Sequence, residues 1–364
     1  MSLLEVQDLR VTFPTADGLV KAVRGVSFGV DVGRTFGVVG ESGSGKTVLT
    51  QTLLGLTAGA QVSGRAMFDG TDLLKLGHEE MRQVRGAQIA VIFQDPLTSL
   101  HPLYRVGWQI AEMIRAHDKS VSRAAARDRA VDLLGRVGIP RPRQRVDDYP
   151  HQFSGGMRQR AMIAMALSLE PKLIVADEPT TALDATVQAQ ILDLLLRLQQ
   201  DSGTALILIT HDLGVVADIA DDVMVMYAGR TAEMAVKHDI FYQAHHPYTK
   251  GLLESIPNSA AGRDRLRPIT GQPPSLINLP SGCAFHPRCA YVMDRCLSDE
   301  PSLAVVARDA YHRSACWLPP SATGLSEQVE DLRKRAVGAG RGADAARVAE
   351  AIAENPEAEG SVIA

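Results

Sequence analysis

Three short segments of the chain carry residue types that together could bind a nucleoside triphosphate and cleave it. Residues 40–47 have the sequence Gly-Glu-Ser-Gly-Ser-Gly-Lys-Thr, which fits the phosphate-binding pattern G-x-x-x-x-G-K-[ST]. An apolar run over residues 173–176 ends in the two carboxylates Asp177 and Glu178, and His211 follows another apolar run farther along. These segments would supply donors for phosphate oxygens, metal ligands and a base for an attacking water.

The phosphate-binding loop needs a strand before it and a helix after it. Residues 35–39 are apolar and β-branched, which predicts a buried parallel strand, and residues 47–56 predict the following helix. Glycines let the backbone wrap closely around phosphate, and the helix N-terminus adds partial positive charge. The loop residues expected around the nucleotide are Gly40, Ser42, Gly43, Ser44, Gly45, Lys46, Thr47 and Val48.

Each charged or hydroxyl group near this loop has an expected role. Lys46 would reach the β- and γ-phosphates of ATP, and the Thr47 hydroxyl would ligate Mg²⁺. Asp177 at the strand end would hold the same ion directly or through a water. Glu178, one residue later, points in a different direction and would polarise the attacking water as general base.

A fourth segment connects the chain to a known family. Residues 153–160, Phe-Ser-Gly-Gly-Met-Arg-Gln-Arg, resemble the L-S-G-G-Q signature of the ATP-binding cassette (ABC) ATPases, with Phe153 and Met157 replacing its Leu and Gln. The resemblance implies that the signature closes over the γ-phosphate held by a partner cassette, so the ATPase would be an obligate dimer. The implied signature and dimer-interface residues are Ser154, Gly155, Gly156, Met157 and Asp184.

The same resemblance implies roles for several single residues. Gln94 matches the Q-loop, which contacts Mg²⁺ and the attacking water and couples the site to a membrane partner. His211 matches the switch histidine that contacts the γ-phosphate, and Asp184 matches the D-loop that crosses the dimer interface. Phe13 is the expected aromatic that stacks on adenine.

The fold expected from these patterns is α/β, an ABC-type P-loop ATPase. It would combine a RecA-like core with a parallel sheet, an antiparallel β layer, a helical subdomain and a small C-terminal extension that contains cysteines. The expected strands of the parallel sheet are 35–39, 88–93, 172–177, 205–210 and 222–227, and helices are expected at 106–117 and 124–137. The expected domains are 1–240 for nucleotide binding, with a helical part at about 100–158, then 241–320 for the extension and 321–364 for a flexible tail.

Composition narrows the function classes. The chain of 364 residues has 45% apolar residues and a net charge of −4, so it can build a core and does not resemble a basic nucleic-acid-binding surface. No apolar run reaches the roughly 18 residues that a membrane span needs, and no signal peptide is visible. We therefore expect a peripheral protein at the cytoplasmic face of the membrane, with any pore in other chains.

The region after residue 240 resembles one branch of the ABC family. Residues 246–253, with His-Pro-Tyr at their start, and residues 271–276 and 282–289 resemble the ATPase subunits of oligopeptide, dipeptide and nickel importers, most of all the D-type subunit of peptide importers. The resemblance covers about residues 3–320. It implies two transmembrane permease subunits, a second ABC ATPase in a heterodimer and, indirectly, an extracytoplasmic solute-binding protein.

All four cysteines lie in this extension, with the spacing C-x5-C-x6-C-x19-C. A cytoplasmic setting disfavours disulfides, and zinc sites usually contain a C-x2–4-C pair. The pattern resembles that of D-type importer subunits that carry a [4Fe–4S] cluster, which would need four thiolates. Zinc and free thiols stay open as alternatives. The expected cluster ligands are Cys283, Cys289, Cys296 and Cys316.

The leading functional hypothesis is an ATPase that powers import of oligopeptides or dipeptides across the cytoplasmic membrane. Import of nickel or another small solute by the same architecture is the first alternative, because the ATPase does not contact the solute. An alternative of another class is a non-transport ABC ATPase or an iron–sulfur-dependent regulator. Co-purification with permease chains would separate transport from that class.

Overall fold

The structure is a computed structural model that describes residues 2–181, 183–255, 269–306 and 310–319. The predicted flexible tail over 321–364 lies outside these residues. The chain forms two compact units. Of the described residues, the first contains 2–181, 183–211, 228–230 and 275–277, and the second contains 212–227, 231–255, 269–274, 278–306 and 310–319.

The first unit begins with an antiparallel layer and the phosphate-binding loop. Its elements in chain order are β1 (Ser2–Thr15), β2 (Gly18–Asp31), β3 (Thr35–Val39), α1 (Lys46–Leu53), β4 (Gln61–Phe68), β5 (Thr71–Asp72), α2 (His78–Val84) and β6 (Ile89–Ile92). The antiparallel sheet has the strand order β2–β1–β4–β5. Strands β1 and β2 alternate buried and exposed residues over much of their length, as expected for a sheet with one solvated face.

The rest of the first unit consists of helices and the remaining parallel strands. They are α3 (Pro96–Ser99), α4 (Val106–His117), α5 (Arg123–Arg136), α6 (Pro142–Arg145), α7 (Gly155–Ala166), β7 (Leu173–Asp177), α8 (Ala185–Ser202) and β8 (Ala205–Thr210). Short 3₁₀ turns occur at Leu73–Lys75 and Pro150–Gln152. The parallel strands lie in the order β3–β8–β7–β6. Every residue of β3, β7 and β8 is buried, because a parallel sheet is covered on both faces.

The second unit contains shorter elements. They are α9 (Leu213–Ile219), β9 (Asp222–Tyr227), β10 (Arg230–Val236), α10 (Lys237–Tyr242), α11 (Pro247–Glu254), α12 (Asp294–Ser298), β11 (Ala304–Val305) and β12 (Arg313–Ser314), with a 3₁₀ turn at His286–Arg288. Its strand order is β11–β12–β10–β9. Tyr227, Tyr248 and Phe285 pack as an aromatic cluster with ring centroids 4.6 to 5.4 Å apart.

The predicted α/β class with a parallel sheet, an antiparallel layer and a helical region is confirmed. The observed bounds of these two elements differ from the predicted ones by one residue at each end. The strand expected at 88–93 spans Ile89–Ile92, and the helix expected at 124–137 spans Arg123–Arg136. Over the part of the chain that the structure describes, no helix has the length and apolar character to cross a membrane.

Gly107 tests the packing of the helical region. It lies in the first turn of α4, where an added Cβ would overlap the Val146 side chain and come 2.6 Å from the Val146 carbonyl oxygen. Gly107→Ala should therefore lower the free energy of unfolding by about 1–3 kcal/mol, the usual cost of overpacking. Urea denaturation measures this change.

Gly135→Ala is the matched control, because its Cβ would have only an ordinary contact, 3.7 Å from Pro142. Alanine favours a helix over glycine by up to about 1 kcal/mol, so this variant should be neutral or more stable. Equal destabilisation by both substitutions would contradict the close packing of α4 on Val146.

Candidate nucleotide site and cysteine region

The phosphate-binding loop has the backbone conformation that its glycines allow. Gly43 and Gly45 have φ values of 78° and 99°, in the left-handed region that favours glycine. A Cβ on Gly45 would overlap the carbonyl oxygen of Ala22, so β2 lies directly against the loop. The Ser44 carbonyl accepts the Gly229 N–H at 3.0 Å, which fixes the loop from another side.

Lys46 lies at the N-terminus of α1, with only 5% of its surface exposed. Its Nζ donates to the carbonyl oxygens of Gly40 at 2.6 Å and Glu41 at 3.0 Å. Burial lowers the pKa of Lys46, while the charges of Glu178 and Asp177 oppose that shift. A buried ammonium at a helix N-terminus favours a polyanionic ligand such as a triphosphate.

Thr47 and Asp177 meet beside the loop. The Thr47 hydroxyl donates to the Asp177 carboxylate at 3.1 Å. Burial raises the pKa of Asp177, and the hydrogen bond from Thr47 opposes that effect. A hydroxyl and a carboxylate at this separation are the hard oxygen ligands that Mg²⁺ prefers, so the pair fits the ion expected from the sequence.

Glu178 is the point at which three other side chains converge. Its Oε2 accepts hydrogen bonds from Thr181 Oγ1 at 2.9 Å and Gln94 Nε2 at 3.2 Å. The same oxygen lies 3.4 Å from His211 Nδ1. Glu178 itself has a φ of 46°, a strained value for a residue with a side chain. The turn after β7 thus directs this carboxylate toward Gln94 and His211.

The structure brings Gln94 and His211 to Glu178. Thr47 contacts Asp177, and Lys46 lies within electrostatic reach of both carboxylates. Thr181 was missed from sequence reasoning, although its position three residues after Glu178 in the same loop was a usable signal. Phe13 lies on β1 opposite Val20 of β2 and is half-buried. Ser42 is exposed and Val48 is half-buried within the loop and α1.

The signature-like segment opens α7 with a side-chain cap. The Ser154 Oγ accepts the Met157 N–H at 3.3 Å, the usual arrangement of a serine N-cap. A Cβ on Gly156 would stand 2.9 Å from Val187 of α8, so glycine permits the close approach of these helices. Asp184 caps α8 by accepting the Val187 N–H at 2.9 Å. Ser154, Gly155 and Asp184 are exposed and are free to meet another chain.

The replacement of the signature's Leu by Phe153 is structurally accommodated. Phe153 is buried with 3% exposure.

Two arginines of α7 hold this helix in place. Arg158 donates to the Pro150 carbonyl at 2.8 Å, and Arg160 donates to the Val137 carbonyl at 2.7 Å. These bonds attach α7 to the helices before it, which holds the exposed Ser-Gly-Gly turn in place.

The second unit contains a buried polar network around Glu233 of β10. This carboxylate has no exposed surface and accepts the His245 N–H at 2.6 Å, the His246 N–H at 2.9 Å and His312 Nε2 at 2.8 Å. Burial raises the pKa of Glu233, but the hydrogen bonds from His312 and His245 outweigh it, so the pKa lies below its ordinary value. The His-Pro-Tyr segment is thus tied to β10 by an ionised, fully bonded carboxylate.

The four cysteines are all free thiols in this unit. Burial raises the pKa of Cys283, Cys289 and Cys316, in the last case to about 11, and neighbouring thiols add to each shift. The Cys283 N–H donates to the Cys296 carbonyl at 2.9 Å. The four side chains therefore share one neighbourhood. Within the described ranges, however, no three His, Cys, Asp or Glu side chains stand in an arrangement that could hold a metal ion.

Comparison with known proteins agrees with this architecture. The ABC transporter family matches residues 23–181, and the family described as oligopeptide/dipeptide transporter, C-terminal region, matches residues 232–296. The chain is 51% identical over 319 residues to the dipeptide transport ATP-binding protein DppD of Bacillus subtilis, covering 87% of this chain and 94% of that protein. It is 52% identical over 301 residues to the oligopeptide transport ATP-binding protein OppD of Escherichia coli K12, covering 82% and 89%.

A solved structure supports the same assignment. CbiO1 from Clostridium perfringens, part of an ABC transporter complex, has 29% identity and a TM-score of 0.57, covering 66% of this chain and 90% of that one. The fold, the nucleotide site and these similarities define an ATPase of the ABC transporter class. Within that class, the chain belongs to the family of transport ATP-binding proteins that carry the oligopeptide/dipeptide transporter C-terminal region.

His246 makes the stability of the second unit depend on pH. Burial lowers the pKa of His246 to about 4, and its neutral Nδ1 accepts the Tyr248 N–H at 3.0 Å as the cap of α11. Between pH 6.5 and about 4 the unfolded chain binds a proton that the folded chain does not. The free energy of unfolding should therefore fall with acidification through this window, by up to about 3 kcal/mol from this residue.

Urea unfolding at several pH values, followed by Trp317 fluorescence with Trp108 replaced by Phe, measures the slope of the free energy of unfolding against pH. His246→Asn keeps a good capping side chain but cannot titrate, so it should flatten the slope. His151→Asn, at an exposed position, is the control and should leave it unchanged. An unaltered slope in His246→Asn would contradict the assignment of a buried neutral histidine.

Proposed function

We propose that this chain is the ATP-hydrolysing subunit that powers an ABC importer for oligopeptides or dipeptides. The observation that carries ATP hydrolysis is the convergence of Gln94, Thr181 and His211 on one oxygen of Glu178. The observation that favours peptides is the C-terminal region shared with peptide-transport proteins over residues 232–296.

The residues have distinct roles in the proposed reaction. Lys46 and the loop N–H groups bind and orient the phosphates of ATP. Thr47 and Asp177 would hold Mg²⁺, with Gln94 as a third contact, and the bound ion would neutralise charge on the β- and γ-phosphates. Glu178 accepts a proton from the attacking water, and His211 and Gln94 hold that water and the carboxylate in position.

The second half of the composite site would come from a partner cassette. Ser154, Gly155, Gly156 and Met157 would meet the γ-phosphate bound by the partner, and Asp184 would lie at the same interface. The exposure of Ser154 and Gly155 at the N-terminus of α7 supports this role, since a helix N-terminus can bind phosphate. We propose a heterodimer with a second ABC ATPase, peripheral to two permease subunits at the cytoplasmic face, with a solute-binding protein on the other side.

Glu178→Gln tests the catalytic role directly. The amide cannot accept the proton, so ATP hydrolysis should fall by about 10²–10⁴-fold while ATP binding persists. Phosphate release and equilibrium ATP binding are measured on the same preparations.

Asp193→Asn on the exposed side of α8 is the control and should hydrolyse ATP normally. Retention of more than a tenth of the wild-type rate in Glu178→Gln would remove Glu178 from the role of general base. In cells, the same variant should abolish uptake of a radiolabelled tripeptide, and continued uptake would contradict the proposed coupling.

We further propose that Cys283, Cys289, Cys296 and Cys316 hold a [4Fe–4S] cluster. Four thiols in a shared neighbourhood, one buried and three half-buried, support this proposal, since such clusters are bound by four thiolates. The cluster would supply a covalent link among loops that have few regular elements of their own.

Cys289→Ser tests the cluster. Anaerobically purified wild-type protein should contain about four irons per chain and absorb visible light, and the variant should lose both. Met293→Leu, a nearby exposed sulfur residue without a thiol, should retain both. Equal iron content and absorbance in Cys289→Ser and wild type would end the cluster hypothesis. Zinc instead of iron in the wild-type protein would indicate a zinc site in place of the cluster.

A further inference from the structure

A distant segment covers the edge of the antiparallel sheet beside the phosphate-binding loop. Strand β2 is the outermost strand of the order β2–β1–β4–β5. The Lys21 N–H on its outer edge donates to the Leu276 carbonyl at 3.1 Å. Residues 275–277 belong to the first compact unit, although the residues before and after them along the chain belong to the second. The chain therefore returns to this strand for three residues.

The strand that receives this segment is the one that borders the phosphate-binding loop. Ala22, the next residue after Lys21, lies against Gly45 of the loop so closely that a Cβ there would overlap its carbonyl oxygen. From Ala22, β2 runs back to Gly18 at the hairpin. A nucleoside attached to phosphates held by the loop has this stretch of β2 within reach.

One face of the hairpin is apolar and half-buried. Val20 stands directly opposite Phe13, and residues two apart along a strand share a face, so Gly18 presents the same face as Val20. The Cγ2 methyl of Ile277 lies 3.1 Å from the position of a Gly18 Cβ. Phe13, Val20 and Ile277 are each half-buried, which leaves apolar surface available to a planar ligand.

We propose that Ile277 forms one wall of the subsite for the purine base of ATP, beside the aromatic surface of Phe13. Gly18 lacks a side chain and so leaves room for the Ile277 methyl. The hydrogen bond from the Lys21 N–H to the Leu276 carbonyl fixes the position of Ile277 along β2. This inference rests on the proposed ATPase function, because it assigns the base of the same nucleotide whose phosphates the loop holds.

Ile277→Ala separates binding of the base from binding of the phosphates. The variant loses apolar contact with the base, so its Kd for ATP should rise about five- to tenfold. Its Kd for inorganic tripolyphosphate, which has no base, should equal that of the wild type. Both constants are measured by displacement of a fluorescent nucleotide. Ile277→Thr, which keeps a β-branched side chain, is measured alongside so that misfolding of the alanine variant does not decide the result.

Leu297→Ala is the matched control, since it removes an apolar side chain of the same size from an exposed position in α12, at 48% exposure. It should leave both constants unchanged. Unchanged ATP affinity in both Ile277 variants would overturn this inference alone, and so would an equal loss of ATP and tripolyphosphate affinity. A wild-type chain that binds neither probe would overturn the proposed ATPase function, and this inference with it.

Discussion

The register of the parallel sheet is the constraint on which the nucleotide site depends. Val39 of β3 pairs with Thr210 of β8, Ile209 of β8 pairs with Asp177 of β7, and Ala176 pairs with Ile92 of β6. All four strands therefore end at one edge, within a residue of each other. The phosphate-binding loop follows β3, and His211, Glu178 and Gln94 follow β8, β7 and β6. All four therefore lie at the same edge of the sheet. Ligand sites of open α/β sheets lie at this carboxyl edge for the same reason.

The electrostatics of the site follow from that geometry. Lys46 and Asp177 are both nearly buried, and burial disfavours the charged form of each. Hydrogen bonds offset the free-energy cost of burying these two charges. Lys46 donates to the Gly40 and Glu41 carbonyls, and Asp177 accepts from the Thr47 hydroxyl. Groups held this way need little reorganisation when a charged substrate arrives, which is the principal source of catalysis in phosphoryl transfer.

Much of the first unit could be predicted because its signals are local. The loop, the buried strands and the helices are encoded by residue types within short windows. Contacts between distant segments could not be predicted in this way. Glu233 and His312 are 79 residues apart, and Ile277 meets a glycine near the N-terminus. Glu233 is flanked in β10 by the apolar residues Ala232 and Met234, so its sequence context gave no sign that it would bind the His-Pro-Tyr segment.

We propose that this ATPase works as part of a membrane complex: the groups around Glu178 come from this chain, and its exposed signature residues Ser154 and Gly155 would complete the site of a partner cassette. The most direct measurement is mass spectrometry of the complex that co-purifies from solubilised membranes with a tagged copy of this chain. We expect two permease chains and a second cassette, with ATPase activity in the complex. A catalytically active chain recovered without any membrane protein would contradict the proposed membrane complex.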